Sequence, residues 1–94
     1  MTPELTLQEK SAYLSAKLEI PLLPYETDIG ACFLNIIPAM EKLGYSWGVV
    51  RDYAGDDRPS ANFWTDKPNS TTHAEADTPE AAIVEAAYAE KVLL

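Results

Sequence analysis

The strongest pattern in the chain is a helical stripe: Ile29, Cys32, Phe33, Ile36, Ile37, Met40 and Leu43 fall at i, i+3, i+4, i+7, i+8, i+11 and i+14. A stripe held for about four turns is what one face of a core-packed helix requires. Glu26, Thr27 and Asp28 precede it with capping groups and negative charge, and Gly44 stands after it where a left-handed residue ends a helix. Pro38 interrupts the run. It removes one intrahelical hydrogen bond and predicts a bend on the side of Leu34, opposite the stripe. A weaker helical pattern runs from about Leu7 to Glu19, with Leu7, Leu14 and Leu18 on one face and Lys10 and Lys17 on others. Thr6 and Glu9 have capping-box spacing at its start, and Pro21 forbids its continuation.

From Tyr45 the period changes to two. Trp47, Val49, Arg51 and Tyr53 alternate with Ser46, Gly48, Val50 and Asp52, which predicts a strand over Tyr45 to Tyr53. A loop-forming run from Ala54 to Pro59 leads to a second strand, Ser60 to Asp66, with Ala61, Phe63 and Thr65 on one side and Asn62 and Trp64 on the other. A turn over Lys67 to Ser70 precedes a third strand, Thr71 to Ala76. Short connections between consecutive strands predict an antiparallel meander. Phe63 and Trp64 are neighbours and point to opposite faces, so each face of the sheet carries a large aromatic and needs cover. One face suits the long helix; the other calls for further helices or a second copy of the chain.

Thr78, Pro79 and Glu80 are a strong helix start, and Ala82, Ile83, Ala86 and Ala87 behind it make a small-residue face for close packing on a sheet. The fold class expected is therefore α+β, in the order α-α-β-β-β-α, with residues 1–94 as a single sandwich domain.

Charge sharpens this reading. The chain of 94 residues has 15 Asp and Glu against 7 Lys and Arg, a formal charge of −8. That balance disfavours direct nucleic-acid binding, whose affinity comes largely from cations on phosphates. It keeps a small domain soluble, and it suits a partner with a basic surface. No apolar run approaches the ~20 residues of a membrane helix. Met1-Thr2-Pro3-Glu4 lacks the basic and apolar regions of a secretory signal, and the lone Cys32 makes no internal disulfide, so a cytoplasmic protein is expected.

Catalytic chemistry finds little to build on. His73 is the one histidine and lies in a strand, where such a residue is most often solvated or hydrogen-bonded. Cys32 belongs to the apolar stripe and reads as a small buried hydrophobe. One cysteine and one histidine make no zinc site, and Asp52, Gly55, Asp56 and Asp57 lack the spaced ligands of a calcium loop. The glycines are scattered, so there is no phosphate loop and no cofactor motif.

Four stretches resemble the phage ABA sandwich family, small phage and prophage domains of uncharacterised role. Leu14-Ser15-Ala16-Lys17-Leu18 is similar to its early helical run, and Tyr25 to Ala31 to its tyrosine-then-aspartate start of the long helix. Ala61-Asn62-Phe63 resembles its mid-sheet strand, and Thr78 to Ala87 its closing alanine-rich helix. The resemblance spans roughly Leu7 to Val92. It implies helices on both faces of a central sheet and no catalytic residues.

The function expected is a non-enzymatic, phage-encoded interaction protein. Its sharpest form is an acidic inhibitor of a bacterial defence system, meeting a basic host or phage protein through Asp52, Asp56, Asp57, Glu75, Asp77 and Glu80, with Trp64 as an aromatic contact. Two alternatives stand beside it. One is an oligomeric small-molecule or nucleotide-binding module with a pocket between protomers, using aromatics with Arg51 or Arg58. The other is a structural or housekeeping phage protein.

Overall fold

The computed structural model describes residues 5–50, 59–66 and 71–90. They form three helices and one three-stranded sheet, in the order helix, helix, three strands, helix. The first helix, Leu7–Leu18, opens on the capping box that its sequence announces. The Glu9 N–H donates to Thr6 Oγ1 at 3.1 Å, and the Thr6 N–H donates to Glu9 Oε1 at 2.8 Å. It stops one residue earlier than the pattern predicts. Glu19 takes a left-handed φ of 57°, and the Ile20 N–H closes the end by donating to Ser15 O at 3.0 Å.

The long helix runs over 29–42, and the bend expected at Pro38 is taken up as a widened turn. Ile29–Ala31 and Ile37–Lys42 are α-helical, whereas Cys32–Ile36 is a π turn in which the Ile37 N–H reaches Cys32 O, five residues back. The extra residue makes room for a proline ring that would otherwise press on the carbonyl four residues before it. Asn35 Nδ2 donates to Ala31 O at 3.2 Å across the same turn.

Strands β1 (Ser46–Val50), β2 (Ser60–Trp64) and β3 (Thr72–Glu75) pair antiparallel in the order β1-β2-β3, the meander that the short connections predict. The register sets Trp47 opposite Phe63, and Val50 and Glu75 on either side of Ser60. Ala61 and Phe63 are buried on the helix side.

The helix that covers the sheet is not the long one. The closing helix, Pro79–Ala89, packs chiefly on β2 and β3 and has the first helix against it, while the last turns of the long helix meet the sheet mainly at β1. Ala81, Ala82, Ile83, Val84, Ala86 and Ala87 are all buried, so this helix is surrounded. Its alanines permit close approach on two sides at once, which the larger residues of the long helix do not. Lys10, which the periodicity puts off the leucine face, is buried beside it, with Nζ 2.6 Å from Glu85 Oε1.

Helices on both faces of the sheet, the arrangement that the resemblance implies, are not found among the described residues. Val50, Trp64, His73 and Glu75 are exposed on the outer face, and no described helix covers them. Trp64 is 39% exposed because its own sheet gives it partial cover: the indole lies over Gly48. Among the described residues no helix is long and apolar enough to cross a membrane.

Candidate functional site

The long helix does not bury its whole stripe. Cys32, Ile36, Ile37 and Met40 are in the core, but Ile29 is 37% and Phe33 40% exposed. The π turn explains the change of line. One extra residue rotates the helix before it by about 100° relative to the helix after it. The inward positions before the turn become Ala31 and Cys32, and Ile29 and Phe33 swing aside.

They swing over the edge strand. Phe33 meets Trp47 edge to face, with ring centroids 5.5 Å apart and planes at 66°. Trp47 and Val49 point to the helix side of β1, where the closing helix, centred over β2 and β3, covers them only in part. The result is a groove of about 630 Å³ lined by Ile29, Phe33, Trp47, Val49 and Pro59 together with Asp77 to Glu80. The Trp47 Nε1–H donates to Glu41 Oε2 at 3.2 Å, which holds the indole at the groove's edge.

Two helix starts converge here. Asp28 caps the long helix through a 3.1 Å bond from the Ala31 N–H, and Thr78 caps the closing helix through a 3.2 Å bond from the Ala81 N–H. Cys32 lies between them and donates through Sγ to Tyr25 O at 3.1 Å. The segment before it is fastened from the first helix: Ser11 Oγ donates to Leu23 O and accepts the Tyr25 N–H, and the Tyr25 hydroxyl donates to Pro21 O. Burial first, then Glu80, Asp28 and Glu26, pushes the Cys32 thiol up to about 12. The thiol therefore stays protonated at neutral pH and is no nucleophile.

This fold is similar to that of a phage protein from Bacillus cereus ATCC 14579 seen in a crystal structure. The two agree at a TM-score of 0.72 and 14% sequence identity, over 100% of this chain and 94% of that one. At this identity the likeness is one of fold. No protein-family profile and no curated protein matches the sequence.

The expected contact residues separate into two places. Asp77 and Glu80 line the groove. Glu75 and Trp64 lie on the outer face of the sheet instead, because the strand period of two turns both away from the helices. Asp52, Asp56 and Asp57 lie outside the described residues, as do Arg51 and Arg58. Pro59, which follows that segment, is tied to the residues leading into the closing helix: the Ala76 N–H donates to Pro59 O at 3.0 Å.

His73 is also on the outer face, with Nδ1 3.0 Å from Asn62 Oδ1 and Nε2 3.7 Å from Glu75 Oε1. The sheet stands between it and Cys32, so the two make no catalytic pair. No group of three or more metal-ligating side chains occurs among the described residues. Ile29 and Phe33 are the groove residues that the periodicity assigns to the core. The signal that separates them is Pro38, whose cost is met by the π turn.

Proposed function

We propose that this chain is a non-enzymatic, phage-encoded protein that works by binding another protein, with the Ile29–Phe33–Trp47 groove as its contact surface. The groove carries the reading. Aromatic and aliphatic side chains left open to solvent, beside Asp77 and Glu80, suit a partner segment that presents an apolar anchor flanked by Lys or Arg. The formal charge of −8 favours the same kind of partner by steering. The likeness in fold to a phage protein supports a phage origin.

Its more specific form is an inhibitor of a bacterial defence system, acting in the cytoplasm of the infected cell. The partner's basic surface would be one that normally holds nucleic acid, and the carboxylates would take the place of phosphates. The test is capture from a nuclease-treated bacterial lysate by the wild type, by Phe33→Asp and by His73→Ala. The reading expects a protein retained by the wild type and by His73→Ala, and lost with Phe33→Asp. Retention by all three in equal amount rejects the groove as the contact.

A further inference from the structure

We infer that the outer face of the sheet, which no described helix covers, is where two copies of this chain meet. This inference is independent of the groove, which lies on the helix side of the same sheet. The outer face presents the apolar side chains of Val50 and Trp64 beside Asn62, His73 and Glu75, with small residues such as Ser46 and Gly48 between them. The centre of a protein interface combines an aromatic anchor with a scarcity of charge, and this face has both.

Charge decides the occupant. The chain has 15 carboxylate residues against 7 Lys and Arg, yet the outward positions of the described strands include a single carboxylate, Glu75. His73 Nε2 stands 3.7 Å from its Oε1. A basic partner finds little to hold on such a face. Two copies of a molecule at −8 repel each other elsewhere, and here they approach with least repulsion. The His73–Glu75 pair is also self-complementary. In a two-fold contact residue i meets j while j meets i, so each imidazole can face the other copy's carboxylate.

The extent of the face sets the strength. Three strands about 4.8 Å apart, each about five residues at ~3.4 Å, cover on the order of 250 Å² per copy. A tight interface takes about 800 Å² per partner. The dimer is therefore weak, reversible and dependent on concentration. Salt acts on it in a characteristic direction. Screening removes the repulsion between two acidic molecules, so self-association strengthens as ionic strength rises, whereas groove binding to a basic partner weakens.

Sedimentation equilibrium over a concentration series, at low and at high salt, tests this. The apparent mass of the wild type should climb from monomer toward dimer with concentration, and climb further at high salt. His73→Glu and Ser46→Glu, both at exposed positions, should weaken association by about tenfold or more while their circular-dichroism melts match the wild type. Phe33→Asp should associate as the wild type does. A wild type that stays monomeric at the highest concentration in high salt overturns the inference. So does self-association that survives both outer-face variants, or that is lost with Phe33→Asp.

Discussion

The indole of Trp64 lies across the backbone of Gly48, the residue diagonal to it on the neighbouring strand: a Cβ at Gly48 would stand 3.8 Å from both Cη2 and Cζ3 of the ring. That is ordinary van der Waals contact, and Gly48 does not adopt a left-handed conformation. Gly48→Ala therefore fits, and it removes freedom from the unfolded chain. We expect it to stabilise the protein by about 0.4–1 kcal/mol, measured by chemical denaturation. A loss of stability would show that the indole needs the bare glycine backbone beneath it.

Lys10 and Glu85 make a long-range ion pair that joins the first helix to the closing one, with side chains 8% and 31% exposed. Tyr88 adds to the site, with Lys10 Nζ 5.3 Å from its ring centroid. Glu85→Gln takes the carboxylate from an ammonium that is largely out of water, and should cost about 1–3 kcal/mol. Lys10→Met keeps the length and apolar stem while removing the buried charge, so it should cost less. Equal losses in thermal melts of the two variants would mean that packing alone matters there.

Stability should fall in alkali. Burial, with nearby carboxylates, raises Cys32 from its ordinary 9.0 to about 12, and burial with the Glu90 hydrogen bond raises Tyr45 from 10.0 to about 12. The Tyr45 hydroxyl donates to Glu90 Oε2 at 2.9 Å inside the core. The folded state holds both protons more tightly than the unfolded chain does. Their contribution is complete below about pH 9 and is lost as pH rises to about 12. Denaturation at a series of pH values should show that decline, and Cys32→Ala with Tyr45→Phe should flatten it. An identical decline in the double variant would assign it to other groups.

Two residues of the same apolar stripe should behave oppositely. Ile36 is fully buried, and Ile36→Asp places a carboxylate in the core at a cost comparable with the whole stability of a small domain, about 5–15 kcal/mol. It should fail to fold. Phe33→Asp puts the same charge at the groove edge, so it should fold and melt cooperatively. Circular dichroism of both distinguishes a core stripe from one that divides between core and surface. Two unfolded variants would mean that Phe33 is structural.

The elements were legible in the sequence because their signals are local. The Thr6–Glu9 box, the Thr78-Pro79 start and the alternation through Ala61 and Phe63 act within a few residues, and each appears as read. Packing partners were less legible. Period alone ranks the long helix as the best cover for the sheet, but it does not weigh how closely alanine lets a helix approach, and the closing helix takes that place. The burial of Lys10 escapes a local pattern because its partner, Glu85, is 75 residues away. The groove was hidden because a regular 3.6-residue period puts Ile29 and Phe33 in line with Ile36, and the π turn before Pro38 breaks that line.

The central claim is that the groove binds a basic, apolar-anchored protein, and a binding titration tests it most directly. The captured partner would be titrated against the wild type, Phe33→Ala and Glu80→Lys at low and high salt. Phe33→Ala should weaken binding at both salts, by about 2 kcal/mol or more if Phe33 is an anchor. Glu80→Lys should weaken it mainly at low salt, where the reversed charge is least screened. Affinity unchanged in both variants, at both ionic strengths, would contradict the account.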